Sequence, residues 1–208
     1  MKEPPTTWQN TTHDWTRELD VEHLEQIRGE PAVFAPRGAL HLVLEVLAYP
    51  TDEAECDGPG RCVVTLHSDG SVSVADHGRG TDTRVDDQGR TVKKPVMATK
   101  DLRFFDSPGA KLLPDGHPRR GMSVVAALSE WLVHTNRRLN GSWTQRYEHG
   151  IPITDLTPIP DDGRTGTTVN FLPDAALVSD TQTMARELRQ LTALFGPHLS
   201  VEVRDEHG

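Results

Sequence analysis

Cysteine is scarce: the 208 residues hold only Cys56 and Cys62, which flank a Gly-Pro-Gly loop. A lone cysteine pair lacks the ligand count of a structural zinc site, and nearby His67 does not complete one. Both cysteines read as free thiols of a cytoplasmic protein. Long apolar runs are also missing, none approaching the ~18 residues of a membrane span. Met1 to Asp14 is polar, without the apolar centre of a secretory signal. Aromatics make up only 5% of the chain, and positive charge is in deficit, with 22 Lys and Arg against 31 Asp and Glu. Nucleic-acid backbones are bound by clustered cations, so a net charge of −9 argues against direct nucleic-acid binding. The basic pairs Lys93-Lys94, Arg119-Arg120 and Arg137-Arg138 read first as solvated surface pairs. There is no internal repeat and no linker long enough to divide two domains. The length suits one domain with a sizeable core, and the clustering of apolar residues in periodic segments excludes compositional disorder.

Residues 1 to about 20 read as a polar arm, with Trp8 and Trp15 as anchors. Periodicity predicts a first major helix from about Arg37 to Tyr49, ended by Pro50. Leu40, Val43, Leu44 and Leu47 form its apolar stripe, while His41, Glu45 and Tyr49 share another face. Cys62 to Leu66 and Val72 to Val74 alternate as strands around Ser68-Asp69-Gly70, a hairpin turn. The second strand runs into Asp76-His77-Gly78-Arg79-Gly80, an acid followed by a G-x-G turn that lets backbone approach a ligand closely. Residues 81 to 120 lack clear periodicity and read as a functional loop or lid, with a short helix within Pro95 to Leu102. A helix is expected from Met122 to about Leu132. Strands follow at 132–139 and 142–147 around Asn140-Gly141, then a strand at 165–172, a helix capped by Asp180, and a last strand at 199–204. This order predicts α+β, a mixed sheet with helices on one face.

Several of these segments, in order over about residues 20 to 207, resemble the N-terminal ATP-binding domain of the gyrase B family, of the GHKL group. Glu45-Val46-Leu47 with Asp52-Glu53-Ala54 looks like the helix carrying the family's catalytic glutamate. Val72 to Gly80 looks like its adenine-binding strand and turn, and Gly121 to Ser129 like the helix after its ATP lid. Tyr147-Glu148-His149-Gly150 and Thr165 to Phe171 fit the later strands, and Ile27 to Pro31 the family's entry segment. The resemblance implies a Bergerat-type two-layer sandwich over residues 21–208 and an adenine nucleotide as ligand. It casts Asp76 as acceptor for the adenine amino group and Thr167 as its support. Gly78 and Gly80 leave room for the ring, and Val46, Val74, Met97 and Val169 form apolar walls. Arg79, Arg119, Arg120, Gly121 and Ser123 complete the ligand set, and Glu45 is the general base for the attacking water.

The chain departs from the family at three places. Where the family holds an Asn that binds Mg²⁺, one turn after the glutamate, this chain has Tyr49, and a phenol is a poor ligand for a hard cation. The glycine-rich lid, whose backbone N–H groups wrap the β- and γ-phosphates, reads Gly116-His117-Pro118-Arg119-Arg120-Gly121 here. Pro118 offers no N–H. The chain ends at Gly208, where the family continues into a lysine-bearing second domain and the DNA-cleaving parts. Three readings follow. One is a stand-alone nucleotide-binding protein with weak or no ATP hydrolysis and no metal site. Another is a pocket repurposed for a different small molecule, with Glu45, Tyr49 and Asp76 as acid–base groups. The third is a regulator that interacts with gyrase, and the arm permits a homodimer.

Overall fold

The computed structural model describes residues 9–10, 12–14, 19–105, 111–139 and 141–207. Trp8, Trp15 and the turn residue Asn140 lie outside them. Two short strands, β1 (Gln9–Asn10) and β2 (His13–Asp14), pair with each other. Helices α1 (Val21–Gly29), α2 (Pro31–Phe34) and α3 (Ala39–Asp57) follow. Next come strands β3 (Gly60–Leu66), β4 (Val72–Asp76), β5 (Thr83–Val85) and β6 (Thr91–Lys93). After helices α4 (Leu102–Phe105) and α5 (Met122–Ala127) stand β7 (Ser129–Arg138), β8 (Gly141–Glu148), β9 (Ile151–Pro152), β10 (Thr157–Pro158) and β11 (Gly166–Pro173). Helix α6 (Thr181–Thr192) and strand β12 (Leu199–Asp205) follow them.

Among the described residues the main sheet runs β10-β8-β7-β11-β4-β3-β12, with β9 paired to β8. Only β12 is parallel to its neighbour, β3; the other pairs are antiparallel, so the sheet is mixed. Alternation along the strands turns Cys62, Val64, Leu66, Val72, Val74, Leu132, Val169 and Phe171 into the core and leaves their neighbours half-exposed. Helices α3, α5 and α6 pack on this sheet, α3 on β3, β4 and β12 and α5 on β7 and β8. The stripe Leu40, Val43, Leu44 and Leu47 is fully buried, each side chain contributing about 1.5–3 kcal/mol relative to exposure. Among the described residues no helix is long and apolar enough to cross a membrane.

Two expected helix ends are corrected. Helix α3 continues through Pro50 to Asp57. The proline costs one N–H, but Thr51 Oγ1 donates to the Leu47 carbonyl at 2.7 Å, and buried Ala48, Thr51 and Ala54 carry the packing past the break. Helix α5 stops at Ala127, not near Leu132, and Ser129 already begins β7. Trp131 therefore stands on a strand, where buried Leu132, His134 and Asn136 alternate with less buried residues. The stretch 81–120 also holds more order than its composition suggests. Its β5–β6 hairpin lays the Lys93 ammonium over the Tyr147 ring at 4.2 Å, and the short helix falls at Leu102–Phe105.

Candidate functional site

Strand β4 ends at Asp76 on the floor of a cavity of about 350 Å³. Helix α3 supplies one wall through Val46, Tyr49, Pro50, Asp52, Glu53 and Cys56. Strands β4 and β11 supply the floor through Val74, Asp76, Thr167 and Val169, and the far side is closed by Lys94, Val96 and Met97 from the segment before α4 and by Arg103 of α4. The floor depends on a close backbone approach. Gly166 has φ +127°, and a Cβ there would collide with the Asp76 carbonyl oxygen, so only glycine lets β11 meet β4 at this point.

Asp76 Oδ1 accepts the Gly78 N–H at 2.8 Å. Burial pushes its carboxyl up to about 6; the N–H groups of Gly78 and Thr167 hold it down, and Glu53 adds to the rise. A donor brought by a ligand would favour the charged form. His134 lines the same cavity, and burial, with Lys93 nearby, lowers its pKa well below the ordinary histidine value, which makes it a neutral imidazole at neutral pH.

Of the residues singled out in the sequence, the cavity gathers Val46, Tyr49, Val74, Asp76, Arg79, Gly80, Met97, Thr167 and Val169. Glu45, Gly78, Arg119, Arg120, Gly121 and Ser123 do not line it. Ser123 is a packing hydroxyl between α5 and α1, 2.9 Å from His23 Nε2. Glu45 is wholly buried and turned into the lid: its two oxygens accept the backbone N–H groups of Arg120 and Gly121 at 2.5 and 2.8 Å. His41 Nε2 stands 3.4 Å from Glu45, while its Nδ1 lies 2.7 Å from Asp115. Burial alone would lower the His41 pKa, but the two carboxylates outweigh it and push it up to about 9. At neutral pH an imidazolium therefore bridges two buried carboxylates.

Tyr49 is built into the same lock. Its hydroxyl donates to Asp101 Oδ2 at 3.2 Å and accepts the Met122 N–H at 3.4 Å. Burial first, and Asp101 second, raise the phenol pKa, so it stays a donor. The Arg119 guanidinium, 2% exposed, lies between the rings of Tyr49 and Phe104, 4.6 and 4.4 Å from their centroids, and Nη1 bonds Asp52 at 2.6 Å. Asp101 is gripped by Arg103 through contacts of 3.0 and 2.8 Å and faces His13 at 3.5 Å. His13 and Arg103 hold its carboxyl well below the ordinary range against the opposing effect of burial. Asp101, Arg103 and His134 are not singled out by the sequence, and Lys94, read there as half of a solvated surface pair, lines the cavity. Their only signal was charge within an irregular stretch, or a histidine inside a strand.

Comparison with known proteins sets this geometry in context. No family model matches the chain. It is 35% identical over 194 residues to the gyrase B protein of Thermotoga maritima, covering 89% of this chain and 30% of that protein. It is 32% identical over 195 residues to the DNA topoisomerase 4 B protein of Bacillus subtilis, again covering 89% and 30%. The chain is a homologue of gyrase B. It spans about 30% of the length of these curated relatives. The fold matches a solved topoisomerase IV ATP-binding domain of Francisella tularensis, in complex with a small-molecule inhibitor. That match has a TM-score of 0.69 at 24% identity and covers 88% of this chain and 51% of that one. The GHKL two-layer sandwich is thus the fold of this gyrase B homologue. Within it, the helix bearing Glu45 does wall the cavity opposite Asp76, while the Glu45 carboxylate itself turns to the lid backbone.

Proposed function

We propose that this gyrase B homologue binds an adenine nucleotide, seats the base against Asp76 and Thr167, and turns ATP over at or near background. What supports the adenine seat is the floor of the cavity: a half-buried carboxylate with an acceptor face, flanked by apolar Val46, Val74, Met97 and Val169. The observation that carries the low turnover is the engagement of Glu45. A general base must reach the proton it removes, and here both oxygens are bonded to lid N–H groups. Those N–H groups are in turn withdrawn from any phosphate.

The residues at the metal position fit Mg²⁺ poorly. Tyr49 presents a protonated phenol bonded to Asp101, and Asp52 is already paired with the Arg119 guanidinium. A hard cation prefers carboxylate, carbonyl or water oxygens in an unobstructed octahedron. In this reading the chain's own residues bind and orient the base and exclude water, and Glu45, bonded to the lid, is not free to activate one. The phenol, held as a donor, is equally unsuited to act as a base, which favours nucleotide binding over repurposed acid–base chemistry.

The test is a thermal-shift series with a non-hydrolysable ATP analogue in Mg²⁺ and in EDTA. A ligand that binds only the native state raises the melting temperature. Stabilisation in both media, lost in Asp76→Asn, is expected; stabilisation that needs Mg²⁺ would contradict the reading.

A further inference from the structure

The charges that line the cavity can be matched one by one. Asp52 is bonded to Arg119 and Lys111, Glu53 to Arg79, and Asp82 to Arg138. Arg103 is held by Asp101 and also stands 3.9 Å from Asp52, with its guanidinium still bordering the cavity. Two groups remain. Asp76 is answered by backbone N–H groups alone, and Lys94 has no carboxylate within ion-pair distance among the described residues. Partial burial lowers the Lys94 pKa and the neighbouring Arg103 acts in the same direction, more than the Asp101 and Asp82 carboxylates offset, so an anion beside these two cations would relieve both effects. The cavity thus has an acceptor at one place and an unmatched cation at another, which calls for a ligand with a donor edge and an anionic group.

The number of anionic groups is limited by what surrounds them. The lid N–H groups of Arg120 and Gly121 end on Glu45. Arg119 is enclosed between two rings and bonded to Asp52. Asp52 and Glu53 themselves line the cavity, so a polyphosphate without a metal would face carboxylates. One phosphate finds two cations; a second and third find like charge.

We propose that the cavity takes an adenine nucleotide with a single phosphate, its base on Asp76 and its phosphate on Lys94 and Arg103, without a metal ion. This rests on the nucleotide reading above and narrows it. Arg103 donates to the phosphate from the guanidinium that Asp101 orients, and Lys94 supplies a charge that no carboxylate among the described residues meets in a direct ion pair.

Calorimetric titration of the full chain with adenosine, AMP and ATP, each in EDTA and in Mg²⁺, tests it. AMP should bind about tenfold or more tightly than adenosine, as a charge-assisted contact implies, should bind more tightly than ATP, and should be indifferent to Mg²⁺. Lys94→Gln should bring the ratio of AMP to adenosine affinity close to one. A wild-type ratio already near one, a Lys94→Gln ratio equal to the wild-type ratio, or ATP with Mg²⁺ as the tightest ligand would each overturn the single-phosphate assignment while leaving nucleotide binding intact. Failure of all three compounds to bind a cooperatively melting protein would overturn the nucleotide reading as well.

Discussion

Replacing Glu45 by Gln should be a stability mutation before it is a catalytic one. The amide keeps the volume, and its oxygen still accepts one lid N–H, but its NH₂ group then confronts the other. Hydrogen bonds to charged groups contribute about 1.5–3 kcal/mol each, and breaking a buried ion pair costs about 3–5 kcal/mol. Asp115 remains 2.7 Å from His41 and keeps the imidazolium partly compensated, which favours the lower end of that range. A loss of about 3 kcal/mol lowers the melting temperature of a domain of this size by roughly 6–12 °C. Calorimetric and urea melts at pH 7 measure it, and at pH 10, where His41 is neutral in the natural protein, the gap to Glu45→Gln should narrow. A shift under about 1 °C, far below that range, would refute the reasoning, because it would mean that Glu45 is not anchoring the lid and is free to serve the cavity.

Further outcomes follow from the same geometry. The folded pKa of His41 is raised to about 9, so its contribution to stability is complete below the unfolded value of about 6.5 and is lost as pH rises through 9, a fall of roughly 3 kcal/mol that pH-dependent urea melts would detect. Asp76 carries a raised pKa of about 6, so its ionisation at neutral pH is a cost to the empty fold; Asp76→Asn should leave stability unchanged or higher while weakening adenine-nucleotide binding by about 1–3 kcal/mol. For the same reason nucleotide affinity in the natural protein should fall as pH drops below about 6, which titration at pH 5 and 7.5 would show. Tyr49→Phe removes the donor to Asp101 and should cost about 1 kcal/mol by urea melt, without creating a response to Mg²⁺. Gly166→Ala forces a Cβ onto the Asp76 carbonyl and should cost more than about 3 kcal/mol or prevent folding, as circular dichroism would report.

Local signals in the sequence carried the elements whose cause is local. Ser68-Asp69-Gly70 turns between β3 and β4, with Cys62 opposite Asp76 as the hairpin requires. Asp180 caps α6 through the Thr183 N–H at 2.8 Å. The apolar stripe of α3 and the seat of Asp76 at a strand end were legible for the same reason, since period and turn chemistry act over a few residues. What was not legible depends on distant partners. Pro50 looked like a stop because the packing that carries α3 past it lies in other elements. Trp131 continues the helical spacing of Val124 and Leu128, and only its pairing with β11 puts it on a strand, Leu128 closing α5. Glu45, Tyr49 and Arg119 were read as cavity residues from their place in the motif. Two of the three face away from it, because their partners, at Arg120, Gly121 and Asp52, are 67 to 76 residues distant in the chain. Asp101 reaches Tyr49 across 52 residues, a pairing that no spacing rule reveals.

The central claim, a nucleotide seat without an ATPase, is tested most directly by the rate of phosphate release from ATP in saturating Mg²⁺, measured for the natural protein and for Glu45→Ala. The expected result is the same background rate for both. A robust Mg²⁺-dependent rate in the natural protein that vanishes in Glu45→Ala would show that the carboxylate leaves the lid to activate water, and would contradict the claim.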